Sequence, residues 1–121
     1  MNPFFDALET RAPAQREAEQ MAALARQVAH AQAHSPAFAE ILSGVDASGV
    51  NSRAALAKLP VTRKSSLLAR QRAQVARDAF GGFSTLVRGP AMTRLYASPG
   101  PIYEPEGATR DYWRTGRALF A

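Results

Sequence analysis

A mainly α chain with one or two short β-strands near its C-terminal end is the fold class this sequence predicts, on three observations. Apolar residues recur at helical spacing between Ala14 and His34. Ser35-Pro36, Ser52 and Thr62 each place a capping residue ahead of a further helical pattern. Phe80-Gly81-Gly82-Phe83 then breaks the helical character, and the runs Phe83 to Val87 and Thr93 to Ala97 that follow read as short strands. The break divides the chain into a helical region, 1–79, and a strand-bearing region, 80–121.

Residues 1–12 read as a loosely helical lead-in whose Phe4, Phe5 and Leu8 are apolar enough to pack on the body. Pro13 suits a first helical position, where its missing N–H costs nothing. From there Ala14, Ala18, Met21, Ala25 and Val28 form one stripe, widened by Leu24 and Ala31. Arg16, Gln20, Ala23, Gln27, His30 and His34 lie opposite, so this is a surface amphipathic helix. His30 and His34 are four apart, the spacing of a two-histidine metal site, but both fall on the polar stripe, and two solvated rings are the preferred account. The second helix starts at Ser35-Pro36, turns Phe38, Ile41 and Leu42 inward, and ends at Gly44 as a left-handed cap. Val45 to Val50 is a turn between apolar anchors. Ser52 caps a short helix holding Leu56 and Leu59, which Pro60 halts. Thr62 caps the fourth helix, from Arg63 to Arg70 or beyond, with Leu67 and Leu68 inward. The last helix is expected from Thr109 onward, with Asp111 in its first turn, and the sequence stops inside its apolar pattern, which reads as a truncation.

Composition bounds what such a chain can bury. At 121 residues it is one domain or part of one, able to bury roughly two thirds of its unfolded surface. Twenty-five of the residues are Ala, each worth on the order of 0.8 kcal/mol when buried, so the core is expected to be thin and to lean on a partner surface. Self-association, or contact with the remainder of a larger protein, follows from that. The absence of Cys removes thiolate chemistry and any disulfide. No run approaches the ~20 apolar residues of a membrane span and no signal-like start is present, so the default location is cytoplasmic and no membrane partner is expected. Net charge is +5, and the stretch Arg63 to Arg94 concentrates it, with seven basic residues against Asp78 alone. No aromatic residue lies between Phe38 and Phe80, and the charges are spread around the helix, which argues against nucleic acid and for a solvated face.

The stretch Tyr96 to Gly107 carries the only hint of chemistry. An apolar run enters it, Pro and Gly fill it, and a helical pattern leaves it, which is the strand, loop and helix order of a phosphate site. Its composition fits that role poorly: Pro99, Pro101 and Pro105 carry no N–H, and Glu104 and Glu106 repel phosphate. On composition a proline-stiffened structural turn is the preferred reading.

Several runs nevertheless resemble a known family. Leu56-Ala57-Lys58-Leu59-Pro60-Val61-Thr62-Arg63-Lys64-Ser65-Ser66-Leu67 is similar to the L-x-x-L-P-x-T-x-K-x-x-L run in the N-terminal part of phenylacetate–CoA ligases, members of the acyl-adenylate-forming (AMP-binding) superfamily. Pro13 to Glu17 resembles the family's first-helix start, Ser35-Pro36-Ala37-Phe38 its V-P-F-Y element, and Phe80 to Phe83 its glycine-containing loop. Thr109 to Leu119 resembles the segment after the ATP loop, with Trp113 two residues after Asp111 where the family spaces them by four. Against the family loop A-S-S-G-T-T-G-x-P, Ala97, Ser98, Gly100 and Pro105 agree, while Pro99, Pro101, Ile102 and Tyr103 depart, and Glu104 stands where Lys is common.

The resemblance implies the N-terminal helical subdomain of an α/β adenylate-forming enzyme, with Ser98 and Gly100 as the residues that match the ATP phosphate loop. It implies ATP, Mg2+ and CoA as the family's cofactors, for a reaction that activates a carboxylate as its acyl-adenylate and transfers it to CoA. The acyl pocket, the adenine site and the mobile C-terminal domain of the family lie beyond residue 121, so no turnover and no tight cofactor binding are expected of this chain alone. The alternative is a stand-alone basic helical interaction module that binds an anionic partner.

Overall fold

The computed structural model describes Phe4, residues 6–109, Tyr112 and Trp113. Helix α1 spans Pro13–His34, α2 Pro36–Ile41, α3 Arg53–Leu56 and α4 Lys64–Gln74, followed by strands β1, Met92–Ser98, and β2, Ile102–Gly107. A single turn of 3-10 helix, Ala47–Gly49, separates α2 from α3. The strands pair antiparallel as a two-stranded hairpin, with Arg94 opposite Glu106, Tyr96 opposite Glu104 and Ser98 opposite Ile102. The chain is therefore mainly helical with a small antiparallel sheet near its C-terminal end. Among the described residues no helix is long and apolar enough to cross a membrane.

The core is small and sits where α1, α2 and the 3-10 turn meet. Val28, Leu42 and Val50 are buried there, with Leu24, Phe38, Ile41, Val45, Ala47 and Leu59 packed around them. Gln32 stitches the turn shut by donating from Nε2 to the carbonyls of Leu42 (3.0 Å) and Val45 (2.9 Å). Only the C-terminal half of α1 is covered. Ala14 and Ala18, on the expected inner stripe, are exposed, because α2 and the 3-10 turn pack beside Leu24 and Val28 and leave the first turns of α1 bare. There α1 is held instead by ion pairs, Glu17 with Arg53 of α3 at 2.7 Å and Glu19 with Arg11. The arginines keep both carboxyls below the ordinary Glu range.

The expected caps are found at three of the four sites. Ser35 Oγ accepts from Phe38 N–H, Ser52 Oγ accepts from Ala55 N–H, and Gly44 ends the second helical segment at φ 79°. Asp46, which the sequence did not single out, caps the 3-10 turn through Ser48 N–H and Oγ, and those bonds lower its carboxyl below the usual range. Thr62 does not cap α4. Arg63 occupies the cap position without a side-chain hydrogen bond, so the helix begins one residue later than expected and its first N–H groups face solvent.

Two further expectations are corrected. Phe83 to Val87 is not a strand; Ser84 Oγ accepts from Leu86 N–H and donates to Leu86 C=O, both at 2.9 Å, and the local bonds bend the chain away from an extended ladder. Thr93 to Ala97 is a strand, but the segment after it is a second strand where an open loop was expected. Phe4 and Leu8 are 47% and 40% exposed. Phe5 lies outside the described residues, as does most of the helix expected from Thr109, of which Tyr112 and Trp113 lie in a turn.

Close backbone approach joins the glycine loop to the helical body. Gly81 and Gly82 adopt φ 60° and 81° and wedge between α4 and the start of α2. Asp78 holds them by accepting from the N–H groups of Phe80 (2.9 Å) and Gly82 (2.7 Å). The Gly82 carbonyl in turn accepts from Ser35 Oγ (2.7 Å) and Ala37 N–H (3.0 Å). Ser35 is thus 1% exposed and has two roles, cap and tether. Replacing Ser35 with Ala is expected to cost about 1–2 kcal/mol in urea unfolding, since both bonds are lost at once.

Candidate functional site

The hairpin tip and the cleft beside the hairpin are the two places where the fold gathers polar groups without using them all. At the tip, Ser98 ends β1 opposite Ile102 and is half-buried, while Pro99, Gly100 and Pro101 are exposed. Gly100 has φ 124°, a conformation that permits the tight turn between two prolines. Two residues of α4 fix the turn. Arg72 donates to the Gly100 carbonyl at 3.0 Å, and Gln71, 3% exposed, forms a two-bond bracket with Tyr103: Nε2 donates to its carbonyl (3.0 Å) and Oε1 accepts from its N–H (2.9 Å).

That bracket settles which way each strand residue faces. Tyr103 turns its backbone polar groups away from β1, so its partner Ala97 turns its own away from β2, and the pair two positions along, Leu95 with Pro105, does the same. Pro105 therefore loses no ladder bond, and together with Gln71 it closes the outer edge of β2. The outer edge of β1 is open: none of the backbone hydrogen bonds among the described residues uses the outward groups of Leu95 or Ala97.

Ser98 and Gly100 come together at the tip, but the tip does not make a triphosphate cradle. Within Pro99-Gly100-Pro101 only Gly100 has an N–H to offer, and the nearest guanidinium, Arg72, is directed at a carbonyl. Exposed Glu104 stands two residues past the turn. The residues present do not fit ATP with Mg2+. His30 and His34 stack at 4.3 Å between ring centroids on the exposed face of α1, and among the described residues no group of three His, Cys, Asp or Glu gathers to hold a metal.

The basic stretch is only partly a solvated face. Arg70 donates to the Gly81 carbonyl at 2.8 Å, pairs with Glu40 at 2.8 Å and lies 6.0 Å from the Phe83 ring centroid. Arg94 pairs with Glu106 at 2.7 Å, and Tyr96 first, then Glu106, hold its guanidinium above its ordinary range. Arg63, Lys64, Arg77 and Arg88 make no ion pair with a described residue. Arg77 and Arg88 both line a cleft of about 980 Å³ that runs past the C-terminal end of α4 and along β1. A second, smaller hollow of about 220 Å³ lies under β2 among Leu67, Phe80, Phe83 and Ile102 and belongs to the packing of the hairpin.

Sequence reasoning missed Gln71 and Asp78. Neither stands in a motif; a Gln amid a basic helix gives no sign that its amide will serve as a strand partner. Comparison of the chain with models of protein families, with curated proteins and with solved structures returns no match.

Proposed function

We propose that this chain is the helical subdomain and first hairpin of a protein resembling phenylacetate–CoA ligases, and that its own role is architectural: it presents an unfinished sheet to be completed by other strands and carries out no adenylation by itself. The observation that supports this is the asymmetry of the hairpin. The outer edge of β2 is sealed by Gln71 and Pro105, whereas β1 is exposed from Thr93 to Ala97 and keeps its outer edge open. A sheet of two strands is marginal in isolation, so one closed edge and one open edge suit a unit that extends in a single direction. The order of matching runs, from Pro13 through Leu56–Leu67 to Ala97-Ser98, supports the family to which the unit is likened.

The test is a titration with MgATP, followed by calorimetry and by amide shifts at Ser98 and Gly100, together with an assay for AMP release in the presence of CoA and a panel of carboxylic acids. No AMP release is expected, and no ATP affinity tighter than about 1 mM, which corresponds to about 4 kcal/mol of binding free energy. Turnover, or sub-millimolar ATP binding, would overturn the architectural role. The second reading, a basic module for an anionic partner, is favoured by one observation, the two arginines in the cleft that form no ion pair with a described residue.

A further inference from the structure

The geometry points to the cleft along β1 as the binding site for an extended, acidic peptide segment that adds to β1 as a third strand. It rests on the open β1 edge invoked above but assigns that edge a ligand chemistry. The cleft is lined by Met92, Arg94 and Leu95 of β1 and by no residue of β2. Arg94 and Leu95 are consecutive in the strand and so point to opposite faces, and a cleft that touches both reaches the strand's edge. The outward N–H and C=O groups of Leu95, in the cleft, and of Ala97, two residues beyond its lining, provide the ladder bonds that strand addition uses.

Side chains around the edge set the ligand's character. Val75, Val87 and Leu95 line the cleft and are 57%, 83% and 52% exposed, which offers apolar contact on either side of an added strand. Arg77 and Arg88 supply positive charge that no described carboxylate neutralises, while Arg94 is already paired with Glu106. Asp78, the acid in the lining, has both oxygens committed to the Phe80 and Gly82 N–H groups. His34 also lines the cleft. A nucleic acid is a poorer occupant because the exposed apolar lining is aliphatic, and the one exposed ring in the lining, His34, already stacks on His30. A second copy is poorer too, since pairing β1 with its own counterpart would bring two basic clefts face to face.

The probes are blocked, fluorescein-labelled peptides of about eight residues, long enough for one strand, with Glu alternating with Val, Lys alternating with Val, or Glu/Val interrupted by a central Pro. Anisotropy titrations with the full chain are expected to show the Glu/Val peptide binding at least about tenfold tighter than either other peptide, with affinity falling severalfold between about 20 and about 150 mM salt. The double variant Arg77→Glu/Arg88→Glu, at two exposed positions that do not shape the fold, is expected to weaken binding by about tenfold or more. Ala97→Pro takes no N–H from the β1–β2 ladder, so it is expected to abolish binding while the hairpin persists in the thermal melt. Hydrogen exchange at Leu95 and Ala97 is expected to slow only when the Glu/Val peptide is present. Equal binding of the Lys/Val peptide, indifference to the arginine reversal, or displacement by a single-stranded oligonucleotide would overturn the inference. If Leu95 and Ala97 exchange freely yet no peptide binds, the peptide site fails and the architectural role stands. If both are protected in the peptide-free monomer, the open edge itself is refuted and both fail.

Discussion

Replacing Gln71 with Ala is expected to lower the unfolding free energy by about 2–4 kcal/mol, more than its modest place on a polar helix suggests. Gln71 is 3% exposed and its amide takes the place of a neighbouring strand, giving a donor to the Tyr103 carbonyl and an acceptor to the Tyr103 N–H. Truncation removes both partners at once and leaves two backbone groups unsatisfied beneath α4, where each unpaired group costs about 1–3 kcal/mol. Gln71→Leu restores the volume but not the bonds and is expected to recover less than half of the loss. Gln71→Glu keeps the acceptor and buries a charge, and is expected to be no better than Ala at neutral pH. Urea unfolding followed by circular dichroism measures the loss, and hydrogen exchange at the Tyr103 amide locates it. A loss under about 0.5 kcal/mol, with Tyr103 still protected, would show that the bracket does not hold the hairpin.

What could be read in advance was whatever depended on neighbours in sequence. Ser35-Pro36 announced both a cap and a first helical turn, and Phe38, Ile41 and Leu42 announced an inner face, because capping and helical periodicity act over three or four residues. Thr93 to Ala97 was legible as a strand for the same reason. Its partner was not: Ile102 to Gly107 contains Pro105 and two glutamates, and only the direction set by the Gln71 bracket makes Pro105 harmless at the outer edge of β2. Phe83 to Val87 failed in the opposite sense, since its strand-like residues yield to the Ser84–Leu86 bonds. Of the candidate phosphate residues, Ser98 ends β1 and Gly100 lies in the turn, where Arg72, twenty-eight residues away, spends a guanidinium donor on the Gly100 carbonyl. Arg70 was read as part of a solvated face, but it ties Glu40 to Gly81. Such links between α4 and the glycine loop leave no periodic trace, because they join single atoms across the fold.

The other large effect is expected at Gly81, where Gly81→Ala should cost about 3–5 kcal/mol from two separable sources. At φ 60° an Ala pays roughly 1–2 kcal/mol for the left-handed conformation alone. Its Cβ would also lie 2.9 Å from the Gln71 nitrogen and 3.0 Å from the Arg70 carbonyl carbon, backbone atoms of α4 that no rotamer change can move. Gly44→Ala separates the two terms, for Gly44 shares the positive φ, 79°, but its added Cβ would meet nothing within 4 Å, so only the conformational cost of about 1–2 kcal/mol is expected there. Relief of the clash at Gly81 requires the loop to retreat from α4, which strains the Arg70 bond to the Gly81 carbonyl and the turn of α4 that carries Gln71. Gly81→Ala and Gln71→Ala should therefore be less than additive when combined, because each already loosens what the other holds. The same retreat shifts the chain from Phe80 to Gly89 that walls the cleft beside β1, so the Glu/Val peptide should bind Gly81→Ala more weakly than Gly44→Ala. Equal unfolding costs for the two glycine variants would refute the close approach of the loop to α4.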